Sequence, residues 1–457
     1  MSQLNLRNVV GPVLLALCIL FGGASAEGDG PALILQLGAI MILFWALLVR
    51  PQMMQPSARR LQWFMLAMLA VLLLQLVPLP PGVWQALPGR ERIAQGYQVL
   101  GLPLPWLPLS LAPYETALRL LWILPPLSLC VAIVRLGAYR SSVIAWVIVG
   151  MAALSTLVGA LQVAGGVDSG WYLYRVTNRG TAVGLFANRN HLATLLLCAI
   201  PFLAALAVRS RSSARSYKKS AGTMVLLGTL ALLMLFGLAI NTSLAGLGLA
   251  VPVTGASLLL LWTRQRRVPI WAPIVGGVLT ALAVAAVFLA PLGNNLTSAG
   301  VADDSQSRYN AIGITIQAGN DYFPIGSGAG TFVNIYRLYE EPERVEPIYM
   351  NHAHSDFAEI YLETGVLGLL VLIAFLIWWG GRTLQVWRAD GRSDPFTRAA
   401  TIATGAIIAH SLVDYPLRTT AIAAIFAVAL ALMTEARSTA AATSRSKRGE
   451  DVRHLTA

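Results

Sequence analysis

Apolar runs of about 20 residues recur along nearly the whole chain, each the length a helix needs to cross a hydrocarbon core about 30 Å thick. In lipid such a run must be helical, because only a helix pairs every backbone N–H and C=O within itself. The pattern predicts about twelve spans, at 9–25, 31–49, 61–78, 114–134, 141–164, 183–208, 221–240, 244–262, 268–290, 358–380, 397–412 and 417–434. The first run has the look of a secretory signal, but a second span begins at Pro31, so it reads as a transmembrane helix. Between the spans the polar residues gather in a few segments. Residues 79–113 are proline-rich and carry Trp84 and Trp106, which predicts a strip along the interface with its indoles at headgroup depth. Arg90, Glu91 and Arg92 read there as one solvated turn. Residues 165–182 lead into Phe186-Ala-Asn-Arg-Asn-His191, and 292–358 form the longest polar segment.

Composition agrees with a membrane chain. Of its 457 residues 56% are hydrophobic and 12% charged, with mean hydropathy +0.66, against about 25% charged in soluble domains. The net charge of +12 would suit a nucleic-acid partner, but its distribution argues against one. With the N-terminus inside, most Lys and Arg fall in cytoplasmic segments: Arg50, Arg59 and Arg60, the 209–219 run, Arg264 to Arg267, and the tail. Most Asp and Glu fall outside, so the basicity is a topology signal. Cys18, Cys130 and Cys198 lie within predicted spans and read as buried small hydrophobes. The expected organisation is all-α and polytopic: a membrane domain over 1–435, a large outward-facing loop at 292–358 within it, and a disordered basic cytoplasmic tail at 436–457.

The long loop holds Ser307-Arg308, Gly326-Ser-Gly-Ala-Gly330 and Asn351-His-Ala-His-Ser-Asp356. His354, Phe357, Ala358 and Tyr361 have the spacing of one helical face, which predicts His354 at the top of the returning helix. Glu359 and Glu363 are an offset pair on the same helix. Histidine is the side chain most easily poised as a general base near neutral pH, with Asp356 or His352 to orient it. The plainer reading is a loop histidine that caps the helix. The three glycines predict a tight backbone running close beside that helix. They do not make a nucleotide loop, since no strand precedes them and no Lys-Ser/Thr follows.

Arg308 reads as a guanidinium that grips phosphate or as a surface partner of Asp303 and Asp304. Arg189 is predicted a few residues inside a span, where a charge is costly unless it faces a cavity or a partner. It and His191 are candidates, with snorkelling to the interface as the alternative. Asp414 and Arg418 read as a structural clamp, with His410 one turn inside the preceding helix. The acids Glu340, Glu341, Glu343 and Glu346 read as solvated, and no metal is expected.

The order Phe-Ala-Asn-Arg-Asn-His-Leu-Ala (186–193), Ser-Arg (307–308), Pro-Ile-Gly-Ser-Gly-Ala-Gly-Thr-Phe (324–332), His-Ser-Asp-Phe (354–357), Glu-Thr-Gly-Val-Leu-Gly (363–368) and His-Ser-Leu-Val-Asp-Tyr-Pro-Leu (410–417) resembles the O-antigen ligase/polymerase-like family. The resemblance spans roughly 115–434. It implies a GT-C-related glycosyltransferase on the periplasmic side of the bacterial inner membrane, using no cofactor, nucleotide sugar or metal. Its donor would be a glycan on undecaprenyl pyrophosphate. Its acceptor would be a hydroxyl on lipid A-core, on another growing glycan, or on a protein. The family's loop histidine falls on His354, with Ser355 in place of an asparagine, and its loop arginine falls on Arg308. One departure stands out. The family has a further arginine in a Ser-Arg-Ala/Gly motif where this chain has Ser243-Leu244-Ala245-Gly246. A leucine cannot neutralise pyrophosphate, so Arg189 or an arginine from 175–179 would have to act for it.

The mechanism to expect has His354 as base and Arg308 and Arg189 on the pyrophosphate, with Asn190, His191, Ser307, Asp356, His352 and Arg418 in support. A single displacement would invert the anomeric configuration. Ligase is the preferred reading, ahead of an O-antigen or exopolysaccharide polymerase, which differs only in its acceptor. A polyprenyl-glycan transporter is the competing class. Transporters tend to keep polar residues and broken helices near the midplane of two related halves, whereas here the polar cluster lies at one interface.

Overall fold

The computed structural model describes residues 7–25, 29–49, 54–213, 217–262, 275–282, 285, 300–340, 342, 349–388 and 393–434. Three helices open the chain: α1 (Arg7–Phe21), α2 (Asp29–Leu48) and α3 (Pro56–Leu74). A proline-rich excursion follows, with the short helices α4 (Pro81–Trp84) and α5 (Glu91–Val99). Strands β1 (Pro78–Leu79) and β2 (Leu107–Pro108) close its base as an antiparallel pair, Pro78 opposite Pro108 and Leu79 opposite Leu107.

Two residues of this excursion depart from the sequence reading. Trp84 is buried and donates its indole N–H to the Pro105 carbonyl at 2.9 Å, while Trp106 is exposed. Arg90 is also buried, donating to the Leu109 carbonyl at 2.5 Å beneath the Tyr322 ring, so only Glu91 and Arg92 of that turn are exposed. The physical reason is shared. Irregular backbone leaves carbonyls without helix or sheet partners, and the indole and the guanidinium supply the missing donors. Burial lowers the Arg90 pKa to about 10.

Next come α6 (Pro113–Trp122) and α7 (Leu124–Leu136), one crossing interrupted at Ile123 just ahead of Pro125 and Pro126, which lack backbone donors. The chain continues through α8 (Ser141–Ala164), α9 (Arg189–Ser213), α10 (Tyr217–Asn241) and α11 (Leu244–Trp262). The C-terminal part contains α12 (Gly300–Asp321), α13 (Phe332–Tyr336), α14 (Asp356–Arg388), α15 (Pro395–His410), a 3-10 turn at Pro416–Arg418, and α16 (Thr420–Met433).

Among the described residues, eight helical stretches are long and apolar enough to cross a membrane, counting α6 and α7 as one; α1 and α16 are apolar but shorter. The chain is an all-α polytopic membrane protein apart from the β1–β2 pair. Two of the twelve expected spans account for much of the difference. Residues 268–290 lie largely outside the described residues, and 397–412 form the 16-residue α15, which carries Arg398. The tail 436–457, the connector arginines 264–267, and Glu341, Glu343 and Glu346 also lie outside them.

Helix α9 is the axis of the bundle. Its apolar window is 89% buried, against 17–44% for the other spans, as suits a helix that is hydrophobic all round. Helices α8, α10, α11 and α15 pack around it. Lipid tails are as apolar as leucine, so helices in a bilayer associate through close backbone approach rather than through escape from water. The contacts are accordingly rich in small residues: Ala193 and Ala199 on α9, Ala399 and Ala403 on α15, and Ala424 on α16 are all fully buried. Cys18, Cys130 and Cys198 are free and buried, as expected of small hydrophobes.

Candidate functional site

The glycine loop runs tightly against α14, as its composition predicts. Gly326, Gly328 and Gly330 have φ of 84°, 111° and 83°, a region closed to most side chains. A Cβ at Gly326 would come within 2.8 Å of the Glu363 carbonyl, and one at Gly328 would strike Ser110. Helix α14 creates the partners for this loop by breaking at Gly365 (φ 55°, ψ −144°). Val366, whose N–H would otherwise reach the Leu362 carbonyl, donates to Pro324 at 2.8 Å. The freed carbonyls of Leu362 and Glu363 accept from the amides of Ser327 and Gly328, each at 2.9 Å. The Glu363 carboxylate accepts from the Gly330 amide at 2.8 Å. Gln75, at the end of α3, completes the anchor by donating to the Glu363 carbonyl and accepting from the Ala329 amide, both at 2.8 Å.

His354 stands ahead of α14 rather than in its first turn, because the helix begins at Asp356 and His354 is left-handed, with φ 53°. A non-glycine residue held there stores roughly 1–3 kcal/mol of strain and persists only where its surroundings fix it. The Asp356 amide provides one fixture, donating to the carbonyls of Ser411 at 3.0 Å and Asp414 at 3.2 Å. The other is the Asp414 side chain, whose Oδ1 lies 3.1 Å from His354 Nδ1. Asp414 is fully buried and the His354 side chain keeps 14% of its surface exposed. Against an ionised Asp414, which only accepts, Nδ1 would hold the proton and Nε2 keep its lone pair.

The other Asp414 oxygen faces His191 Nε2 at 3.8 Å. The Tyr415 ring fills the space between the imidazoles, with centroid distances of 5.1 Å to His354, 5.1 Å to His191 and 4.4 Å to His352. Thr242, at φ 56°, is the other non-glycine with positive φ among the described residues, and it borders the same cluster. It sits in the tight turn between α10 and α11. There the Asn241 side-chain amide donates to the Ala182 and Arg189 carbonyls, both at 2.7 Å, and the Ser243 hydroxyl donates to Asn190 Oδ1 at 2.7 Å.

Arg418 forms a clamp, but with other acids than the one its sequence neighbourhood suggests. Its guanidinium reaches Glu363 at 3.0 Å, Glu359 at 3.1 Å and Asp356 at 3.4 Å. Positions 356, 359 and 363 share one helical face, and that face of α14 looks onto the Pro416–Arg418 turn. Asp414, the expected partner, faces the histidines. Burial alone would lower the Arg418 pKa, but Glu359, Glu363 and Asp356 outweigh it and hold the guanidinium above its ordinary value. Glu359 also accepts from His352 Nδ1 at 2.9 Å and from the Ala353 amide at 2.8 Å. Burial holds the His352 pKa below its ordinary value.

His354, His352, His191, Asn190, Asp356 and Arg418 thus come together at one end of the bundle. Arg189 is the first residue of α9 and half-buried, because 183–188 turn instead of continuing the helix, so it stands at the start of the span rather than a few residues inside it. Ser307 and Arg308 stand on α12, which packs against α14, and their side chains lie outside the described residues. Leu244 begins α11 and is 47% exposed. Sequence reasoning missed Gln75, Tyr415 and the role of Asp414. Asp414 and Tyr415 lay inside a motif already singled out, whereas a lone glutamine after an apolar run gives no signal.

A cavity of about 410 Å³ extends from this end between α3, α6–α7, α14 and α16. Its walls are apolar, including Phe64, Leu72, Leu372, Phe375 and Phe426, and its polar groups are chiefly Arg119, Asp356, Glu363 and Arg418. Among the described residues, no group of three His, Cys, Asp or Glu side chains is arranged to hold a metal ion.

Residues 229–373 match the family model described as O-Antigen ligase. Over this stretch, about a third of the chain, the sequence resembles the O-antigen ligase family. No curated protein matches the chain. The matched stretch holds Leu244, Arg308, the glycine loop, His352 and His354, while His191, Asp414 and Arg418 reach the site from outside it. The match supports an O-antigen ligase/polymerase-like function in general.

Proposed function

We propose that this protein transfers a glycan from undecaprenyl pyrophosphate to an acceptor hydroxyl, with lipid A-core as the preferred acceptor, on the periplasmic face of the bacterial inner membrane. The observation that carries the reading is His354, strained, partly exposed, and fixed through Nδ1 by the buried Asp414. Its free Nε2 lone pair takes the acceptor proton while the acceptor oxygen bonds to the anomeric carbon and the bond to pyrophosphate breaks. Asp414 steadies the imidazolium that forms. Negative charge gathers on the departing undecaprenyl pyrophosphate, where preorganised cations act most strongly; Arg308 and Arg189 take this role. The leaving group needs no acid, and the single displacement inverts the anomeric centre. The apolar cavity beside Arg418 accommodates a lipid tail.

The test uses purified protein and lipid-linked glycan in detergent, where a transporter has no second compartment. His354→Asn keeps a residue that tolerates left-handed backbone and is expected to lower turnover by about 10²–10⁴, and Arg308→Ala is expected to abolish transfer. Near-native turnover in either variant removes that residue from the mechanism. Leu244→Arg is a milder probe. Raised or unchanged turnover agrees with a site whose missing cation is supplied elsewhere, and a loss means that the pocket is organised differently. A deletion strain separates ligase from polymerase: full-length glycan stranded on the carrier means ligase, and stranded single repeat units mean polymerase.

A further inference from the structure

The geometry points to Arg119 as the residue that binds the phosphate of a polyprenyl carrier whose chain lies in the cavity between α3, α6–α7, α14 and α16. This assignment rests on the donor proposed above and adds a cation to Arg308 and Arg189. Three observations carry it. Arg119 lines the cavity, and its guanidinium makes no hydrogen bond or ion pair with any described residue. Even Glu115, one turn earlier on α6 and correctly spaced for a pair, forms none with it. The other cation of the cavity, Arg418, is committed to Asp356, Glu359 and Glu363.

Second, the glycine loop makes room for this side chain. Gly330 has φ 83°, and a Cβ there would sit 3.2 Å from Arg119 Nε and 3.0 Å from the Glu115 Cβ. The same loop is bonded to Glu363, so the motif that supports the histidine segment also leaves the Arg119 guanidinium uncrowded. Third, the cavity has the form of a seat for a long chain with a charged end. Along α14 its lining runs from Phe357 to Leu376, about 28 Å of helix at 1.5 Å per residue. An unpaired guanidinium beside an apolar slot of that length is complementary to an anionic head on a single hydrocarbon chain.

Full-length protein in nanodiscs would be titrated with undecaprenyl phosphate and, separately, with uncharged undecaprenol. Arg119→Gln is expected to weaken undecaprenyl phosphate by about tenfold or more, as the loss of a charge-assisted contact requires, and to leave undecaprenol within about twofold. Arg119→Lys should recover most of the difference. Ala427→Phe, which fills the apolar part of the cavity, should weaken both ligands. Equal loss of both ligands in Arg119→Gln would mean that Arg119 only balances the neighbouring acids, and unchanged phosphate binding would mean that it does not meet the ligand; either overturns the assignment. Competition by phosphatidylglycerol at equal concentration would also overturn it, because the seat would then take any anionic lipid. These readouts need no turnover. If His354→Asn abolishes transfer while Arg119→Gln binds phosphate normally, the reaction stands and the Arg119 assignment falls. If Arg119→Gln loses phosphate selectively while His354→Asn still transfers, the reverse holds.

Discussion

His352 and His354 each set Nδ1 at nearly the same distance from a carboxylate, 2.9 Å from Glu359 and 3.1 Å from Asp414, yet the two pairs are built differently. His352 is buried, stacked near Phe332 and Tyr415, and its carboxylate is shared with Arg418 and the Ala353 amide. Only 3% of the His352 side chain is exposed, against 14% for His354. His354 sits one residue beyond Ala353 in strained backbone, keeps part of its ring exposed, and has a carboxylate whose second oxygen looks toward another imidazole. A histidine beside an acid is therefore no sign of chemistry in itself. What separates support from catalysis is whether the far ring nitrogen can meet a substrate and whether the chain accepts strain to hold it there.

The largest expected effect concerns the supporting half. Arg418→Met leaves three carboxylates in the protein interior without their cation, which is expected to cost about 3–5 kcal/mol of stability, read as a lowered unfolding midpoint in detergent. Adding Asp356→Asn, Glu359→Gln and Glu363→Gln should restore much of the loss. If Arg418→Met unfolds at the native midpoint, the cluster is not what fastens α14 to the Pro416–Arg418 turn.

The next effect tests the half we propose to be catalytic. Asp414→Asn keeps the shape and removes the charge that, in the proposed reaction, steadies the His354 imidazolium, so turnover should fall about tenfold to a hundredfold, the worth of a hydrogen bond to a charged group. Glu359→Gln, the matching change in the other pair, should lower the unfolding midpoint and leave turnover per folded molecule near native. Equal losses of turnover in both variants would erase the distinction between the pairs.

Much of this arrangement was legible in the chain. Most of the spans among the described residues followed from run length, and the glycine loop beside the returning helix followed from its three glycines, because both depend on local rules. What escaped was long-range. Asp414 and Arg418 are four residues apart and of opposite charge, so local reading pairs them. The fold instead aims Arg418 at one face of α14 and Asp414 at residues far away in sequence. Helical spacing put His354 in register with α14, and the positive φ that lifts it out is set by contacts with Ser411 and Asp414 that no periodicity encodes. Arg189 looked deep because an apolar pattern does not show that 183–188 turn before α9 begins.

The smallest effect is a pH dependence of stability, and it tests whether His352 is the buried, neutral member of the two. Burial lowers its pKa in the folded protein, ahead of the opposing pull of Glu359 and with Arg418 and Arg119 acting in the same direction as burial. The unfolded chain regains the ordinary histidine value of about 6.5. Above that value neither state binds the proton and His352 adds no pH dependence. As the pH falls through it, the unfolded chain takes up a proton that folded His352 resists, so stability drops. His352→Gln removes this linkage while keeping a side-chain donor for Glu359. Between pH 7.5 and 5 the native midpoint should therefore fall further than that of His352→Gln. Should the native protein fall less, Glu359 outweighs burial, His352 is cationic in the fold, and the two histidines differ in charge as well as in exposure.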